Sequence, residues 1–235
     1  MWTTAALRKI DRLRFAIPLL AVLAMITLVA CGGDDDETAA PVPAAQRFLT
    51  EEDAPGSKPD PVETRQTIAD FDAFIAALSE LAVDPDKEEA TTVFQEAGFK
   101  AAGVDTRFYG ETHTPGVSPH VVSSFIELGS EDGATSVLDW LETDTKKPCP
   151  MSCAAQISAF DVDDIEDARG VRRIATAEDI ERIGNEDEQP LEAYWVGFTD
   201  GAFVYTVDLW GPPGSVSKEQ ALEIANAYHD RLTGS

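Results

Sequence analysis

Two strand-like segments, 193–199 and 202–210, flank the dipeptide Asp200-Gly201 near the end of the chain. Asp-Gly suits the left-handed positions of a type I′ turn, whose twist matches that of two antiparallel strands. Both segments are rich in Val, Tyr, Phe, Trp and Thr, the residue types that favour strands. The pattern therefore predicts a β-hairpin here and with it an antiparallel sheet.

Four further segments repeat apolar residues at helical spacing. The first follows Thr67 and runs from Ile68 to Leu81, with Thr67 and Asp70 as a predicted capping box. The second starts at Asp84-Pro85 and stops at Gly98, and the third follows Ser130 and stops before Pro148. A terminal helix is predicted between a capping box at Ser217 and Gln220 and a stop at Gly234.

Four more strands are indicated by β-forming residues, at 104–109, 120–128, 155–162 and 170–176. The segment 177–189 is charged and is interpreted as either a helical turn or a mobile loop. A strand-strand-helix unit thus occurs twice, at about 100–145 and 192–233. Hairpins followed by helices predict an α+β fold, a mostly antiparallel sheet with helices packed on it.

The N-terminus has a cationic stretch, 7–14, followed by an apolar run from Phe15 to Val29. Such a run is shorter than the roughly 20 residues of a membrane-spanning helix, and it has the layout of a signal peptide. The run ends in Leu28-Val29-Ala30-Cys31. This motif resembles the lipobox of bacterial lipoproteins, in which the cysteine is lipidated and becomes the first mature residue.

That resemblance implies a signal peptide over 1–30 and a lipid on Cys31 that holds the chain at the extracytoplasmic face of the cell membrane. In a cell with two membranes, the outer membrane is also a possible location, because Gly32 does not resemble the Asp that follows the lipidated cysteine of lipoproteins retained in the inner membrane. Two alternatives remain, an ordinary secretory signal and an uncleaved anchor. Residues 31–63 are rich in Asp, Ala and Pro and predict a tether. We expect Phe48 and Leu49 to pack on a single α+β domain at 64–235.

The chain carries 43 acidic and 18 basic residues, a formal charge of −25. A field of this sign repels polyanions and offers no counterion release on phosphate, so nucleic acid is excluded as a partner. The hydrophobic content of 43% still predicts a globular domain. We expect solubility, rather than a specific electrostatic function, to explain the charge.

The order of the elements behind the lipobox looks like the α+β sandwich lipoproteins of high-GC Gram-positive envelopes. These include relatives of sensor-kinase extracellular domains and the Mog1/PsbP-like group. The resemblance covers residues 64 to 233 and transfers no functional residues. It implies a non-catalytic module that binds a ligand or contacts a protein.

With Cys31 assigned to the lipid, Cys149 and Cys153 remain as an even pair in an oxidising compartment. We predict a structural disulfide between them. A redox role is less favoured, because the pair follows a helix C-terminus, where the dipole disfavours a thiolate. A zinc site is less favoured still, since no third ligand lies near.

No established catalytic or cofactor motif occurs in the sequence, so no catalytic residue and no cofactor is assigned. The acidic segment 161–167 offers Asp161, Asp163 and Asp164 as candidate cation ligands. It lacks the spacing of an EF-hand loop, and a solvated loop is the favoured interpretation. The three histidines form no recognisable metal or catalytic set.

Aromatic residues concentrate in the last hairpin and in the third helix. Alternation along the strand places Trp195 on the face opposite Tyr194 and Phe198, so both faces must be covered if all three are core. Core packing is the favoured interpretation. The alternative is a ligand or partner surface that includes Trp195 and Trp210.

Three functions follow from these features. The leading hypothesis is a non-catalytic binding or interaction module of the envelope, which contacts an envelope protein or a small ligand. The second is a carrier of lipid or another apolar ligand in a cavity between sheet and helices. The third is an envelope enzyme.

Overall fold

The computed structural model describes residues 42–61, 65–80, 87–111, 118–147, 156–179 and 190–234. They form an α+β domain around one antiparallel sheet, as predicted. The strands are β1 (Ser57–Pro59), β2 (Gln66–Ile68), β3 (Ala101–Tyr109), β4 (His120–Glu127), β5 (Gln156–Phe160), β6 (Arg169–Ala175), β7 (Leu191–Asp200) and β8 (Phe203–Gly211). The helices are α1 (Phe71–Glu80), α2 (Lys87–Glu96), α3 (Glu131–Thr145) and α4 (Lys218–Thr233), and Ala44–Gln46 forms a 3₁₀ turn.

The strands lie in the order β1-β3-β4-β8-β7-β6-β5, and β2 pairs with β3 beside β1. The two predicted hairpins, β3-β4 and β7-β8, are confirmed and meet in the middle of the sheet, where β4 pairs with β8. In the described part of the chain, no helix combines the length and apolarity needed to cross a membrane.

Each face of the sheet carries its own hydrophobic core. On the first face, α4 and residues 42–61 cover Tyr194, Val196 and Phe198 of β7 and the neighbouring residues of β8. On the second face, α1, α2 and α3 cover Trp195 and the alternate residues of the same strands. Both faces of the central hairpin are therefore buried, which explains its nearly continuous apolar sequence.

The helix caps follow from local hydrogen bonds. Ser130 and Ser217 accept from the amides of Gly133 and Gln220, which confirms them as N-caps of α3 and α4. The first helix starts later than predicted. Its cap is Asp70, which accepts from the amide of Ala73 at 2.8 Å. Thr67 and Ile68 instead lie in β2, because they pair with β3.

The turn of the last hairpin also differs from the prediction. Asp200 pairs with Phe203, so the two loop residues are Gly201 and Ala202. Within the described ranges Asp167 is the one non-glycine residue with positive φ, and Gly201 has a φ of 54°. A positive φ at the first loop position alone is the pattern of a type II′ turn, so the predicted type I′ turn is wrong.

Residues 42–61, which we call the N-terminal strap, belong to the folded domain. Phe48 and Leu49 are buried as predicted, and Phe48 packs edge-on against Phe125 with ring centroids 5.2 Å apart. Strand β1 within the strap pairs with β3. The folded unit therefore begins well before residue 64, where the sequence placed its start.

Two residues of α4, Arg231 and Tyr228, hydrogen-bond to the strap, and the hydroxyl of Tyr228 donates to the carbonyl oxygen of Arg47. The guanidinium of Arg231 donates to both carboxylate oxygens of Asp53, at 2.9 and 3.0 Å. It also donates to the carbonyl oxygens of Gln46 at 2.6 Å and of Phe48 at 2.8 Å. Arg47 completes the attachment by donating to the hydroxyl of Tyr205, whose pKa burial raises to about 12.

Candidate functional site

A groove lies on the second face of the sheet, between α3 and strands β3, β4, β6, β7 and β8. Its side chains enclose a cavity of about 90 Å³. The helix contributes Trp140, Leu141, Asp144 and Thr145 to the lining. We call this cavity and its lining the α3 groove.

Strand register determines which sheet residues line the groove. One row across the sheet runs through Val122, Asp208 and Trp195, and the next row toward the rim contains Trp210 and Arg173. On the other side of Asp208, Ser124 lies opposite Thr206, and their hydroxyl oxygens are 2.7 Å apart in a hydrogen bond. The floor of the groove is thus a polar stripe within an otherwise apolar face.

The space for Trp195 is created by a glycine. A Cβ atom on Gly197 would lie 2.5 Å from the ring of Trp195 and 2.7 Å from Leu138 of α3. Such distances are too short for any side chain, so only glycine lets the indole lie across β7. Gly197 therefore positions one aromatic wall of the groove.

An ion pair crosses the floor. The Nη2 atom of Arg173 donates to the Oδ2 atom of Asp208 at 2.5 Å, and the two side chains are 20% and 24% exposed. One further polar atom of each side chain, Nε of Arg173 and Oδ1 of Asp208, is buried without a hydrogen-bond partner among the described residues. The pair neutralises its own charge but leaves one donor and one acceptor unused.

Trp140 supplies a third unused polar atom. Its side chain is 7% exposed, and its Nε1 donor has no hydrogen-bond partner in the described part of the protein. A buried polar atom without a partner costs about 1–3 kcal/mol, and native proteins tolerate few of them. Three such atoms belong to residues that line one cavity, so ordered water or a bound ligand must supply their partner groups.

Both tryptophans named from the sequence line the α3 groove. Trp195 is 5% exposed and also belongs to the core, whereas Trp210 is half-buried and stacks on His120 with ring centroids 4.5 Å apart. Trp195 therefore fits both interpretations of the sequence, because it is part of the core and also lines the groove. That these residues form a ligand or partner surface stays a prediction.

Other candidate residues lie elsewhere. Cys31, Cys149 and Cys153 fall outside the described residues, so the lipid attachment and the disulfide stay predictions. Asp161, Asp163 and Asp164 lie in the loop between β5 and β6, where Asp164 accepts a hydrogen bond from Asn226 at 3.2 Å. Across the described ranges, no three His, Cys, Asp or Glu side chains are grouped to hold a metal ion.

Sequence reasoning missed Trp140, Arg173 and Asp208 as site residues. A signal for Asp208 was present, because Thr206 and Asp208 interrupt an apolar strand at alternate positions and therefore share a face. A carboxylate on the inner face of a central strand is rarely buried without a specific partner. For Trp140 and Arg173 no comparable local pattern exists.

These features define a class of protein, an α+β domain in which one antiparallel sheet is covered on both faces and a small polar-floored groove lies under one helix. The domain is similar to the crystal structure of the extracellular domain of PknH from Mycobacterium tuberculosis. The match has a TM-score of 0.50 and 14% sequence identity, and it covers 83% of this chain and 99% of that chain. At this identity the similarity shows a shared fold.

No protein-family model and no curated protein matches the chain. The similarity to an extracellular domain agrees with the resemblance drawn from the order of the elements, at the level of the fold. It does not concern residues 28–31, so the lipobox rests on the sequence pattern.

Proposed function

We propose that this chain is a lipid-anchored, extracytoplasmic binding module that takes a small ligand in the α3 groove. The observation that carries this proposal is the set of three unpartnered buried polar atoms among the groove residues Trp140, Arg173 and Asp208. The signal-peptide layout and the lipobox ending in Cys31 support the location. The shared fold with an extracellular domain agrees with it.

The groove groups suit binding better than chemistry. Asp208 is held by the guanidinium of Arg173, and Asp144 lies 3.3 Å from the ammonium of Lys147. A general base needs a carboxylate or imidazole within reach of a substrate proton and with a matched pKa. Carboxylates engaged with cations meet this need poorly, which favours the non-catalytic interpretation.

The size of the groove separates the ligand hypothesis from the lipid-carrier hypothesis. Pockets for small molecules typically measure about 300–1,000 Å³, and an acyl chain needs a long apolar cavity. The α3 groove encloses about 90 Å³ and has a polar floor. It is therefore too small to enclose a drug-sized molecule or an acyl chain, and it favours a ligand of a few atoms or the end of a larger polar one.

The N-terminal strap and the groove lie on opposite faces of the sheet. Val42 packs against the core on the first face, and the groove lies on the second face. The strap therefore leaves the groove uncovered.

Native mass spectrometry tests the proposal. Every described contact lies within residues 42–234, so a chain beginning at residue 32 keeps them all. This chain would be exported behind a cleavable secretory signal and isolated from the envelope of its source cell under gentle conditions. Leu141→Trp adds bulk at the half-buried groove rim, and Thr143→Trp adds the same bulk on the exposed side of α3 as a matched control.

We expect a reproducible extra small-molecule mass on the parent chain and on the Thr143→Trp variant, and none on the Leu141→Trp variant. A bare mass for all three would contradict the small-ligand proposal and leave contact with an envelope protein as the better hypothesis. An extra mass that persists equally in Leu141→Trp would place the ligand outside the groove.

A further inference from the structure

We infer that the α3 groove recognises a neutral, polyhydroxylated molecule of the saccharide class, bound through its hydroxyl groups by Asp208, Arg173 and Trp140. This inference rests on the proposed function and specifies its ligand. It follows from the chemistry of the unpartnered atoms, the charge of the lining and the shape of the cavity.

A ligand that pairs with these atoms must both donate and accept hydrogen bonds. Oδ1 of Asp208 accepts only, whereas Nε of Arg173 and Nε1 of Trp140 donate only. A hydroxyl group has one donor and two acceptor lone pairs, so one hydroxyl satisfies a carboxylate and an N–H together. A carboxamide also does this, through its two N–H donors and its carbonyl oxygen, but it presents them at a single group.

The polar positions extend over more than one such pair. Asp208 and Thr206 occupy successive inward positions of β8, and the hydroxyl of Thr206 is hydrogen-bonded to that of Ser124. Inward positions along a strand are spaced by about 7 Å, the rise of two residues. A polyol presents hydroxyls over this distance, whereas a single amide does not. The pattern therefore favours several hydroxyls on one ligand.

Charge disfavours an anionic ligand, and the positions of the N–H donors disfavour a cationic one. The lining carries two carboxylates, Asp144 and Asp208, and one guanidinium, Arg173, in a chain of formal charge −25. An anionic ligand meets repulsion from both carboxylates and from the field of the protein. A cationic ligand leaves the N–H donors of Arg173 and Trp140 facing a positive charge. A neutral ligand avoids both costs.

The walls and the volume suit one end of a sugar ring. Trp195 and Trp210 present aromatic surface next to the polar floor, and the C–H face of a pyranose is apolar enough to pack on an indole. A cavity of about 150 Å³ holds benzene, so the 90 Å³ present here admits a ring edge or a hydroxymethyl group. The remainder of the ligand lies at the rim formed by Leu141 and Trp210.

Entry requires a small movement of side chains, because the three unpartnered atoms are shielded in the ligand-free groove. Rotamer changes of this kind are common at binding sites whose backbone stays fixed. Trp210 is half-buried at the rim, and the paired Arg173 and Asp208 remain partly exposed. We expect these side chains to shift when a ligand hydroxyl reaches the floor.

The test follows the indole N–H signals by two-dimensional NMR in the chain beginning at residue 32, which retains Trp140, Trp195 and Trp210. The neutral probes are methyl α-D-glucopyranoside, methyl α-D-mannopyranoside and myo-inositol, each titrated to about 100 mM. Glucuronate, glucosamine and indole are the anionic, cationic and apolar comparison probes. Trp140→Phe assigns the Trp140 signal and removes its donor.

We expect at least one neutral probe to shift the Trp140 signal in a saturable way. In the Trp140→Phe variant the signals of Trp195 and Trp210 should still shift, with affinity about three- to tenfold lower, because one hydrogen bond is lost. Asp208→Asn should lower the affinity by about tenfold or more, since the acceptor loses its charge and its hydrogen bonds weaken. Thermal unfolding of both variants shows whether they are folded.

Two results would overturn the inference. If indole or a charged probe shifts the groove signals and the neutral probes do not, the ligand class is wrong while the groove remains a binding site. If no probe shifts any groove signal and native mass spectrometry shows a bare chain, both the ligand class and the proposed function are wrong.

Discussion

Replacing Arg231 with alanine should destabilise the domain by about 2–4 kcal/mol, because this residue fastens the N-terminal strap. Asp53 is 2% exposed, and without Arg231 the partners of its carboxylate among the described residues are the amide and hydroxyl of Thr50, at 2.7 and 2.9 Å. Breaking a buried ion pair on one side costs about 3–5 kcal/mol. Arg231 is 25% exposed, so water compensates for part of this cost.

Equilibrium unfolding in urea of the chain beginning at residue 32 measures the loss. Lys100→Ala is the control, because Lys100 and Glu127 form an exposed pair at 3.8 Å that should contribute below about 1 kcal/mol. Arg231→Lys should recover part of the stability, since lysine keeps the charge but lacks the guanidinium fork.

Limited proteolysis would report on the strap itself. We expect faster cleavage within residues 42–61 in Arg231→Ala than in the parent chain, because the strap loses its contacts to α4 and opens locally. A loss of stability no greater than that of Lys100→Ala, with unchanged cleavage of the strap, would refute the reasoning that Arg231 fastens it.

Three further predictions concern Glu192, Gly197 and Cys31. Burial raises the pKa of Glu192, but hydrogen bonds from Tyr194, Arg172 and the Gly214 amide outweigh it and hold the pKa below its usual value. The ionised Glu192 therefore stabilises the folded protein fully above about pH 4.3, the usual pKa of glutamate, and this stabilisation is lost as the pH falls below that value. In urea unfolding, the difference in free energy of unfolding between the parent chain and Glu192→Gln should shrink in acid. Gly197→Ala should cost about 1–3 kcal/mol in the same assay, since its Cβ would lie 2.5 Å from the Trp195 ring; a neutral effect would contradict the packing. Cys31→Ser should abolish incorporation of an alkynyl fatty acid and membrane retention of the full chain, whereas Cys149→Ser should retain both; labelling of Cys31→Ser would contradict the lipobox.

Much of the fold could be predicted because its signals are local. Ser130 and Ser217 cap helices through their own side chains, and runs of β-forming residues identified the strands of both central hairpins. Strands β1 and β2 have three residues each and no periodic pattern. They exist because β3 offers them an edge to pair with, and a pairing partner distant in the sequence leaves no local signal.

The site was less predictable than the fold. Trp195 and Trp210 were identified by their aromatic character, and the structure places both in one groove. Trp140 and Arg173 come from different elements, α3 and β6, and they line the same groove only through the packing of that helix on the sheet. Asp208 carried a signal in its strand, but its partner Arg173 is known only from the order of β6, β7 and β8.

The most direct test of the central claim, that the α3 groove is a binding site, is the Trp140 indole N–H signal with and without deproteinised envelope extract. We expect the extract to shift the Trp140 indole N–H signal in the parent chain and in Thr143→Trp, and to leave it unchanged in Leu141→Trp. An unchanged signal in the parent chain, or an equal shift in all three proteins, would contradict it.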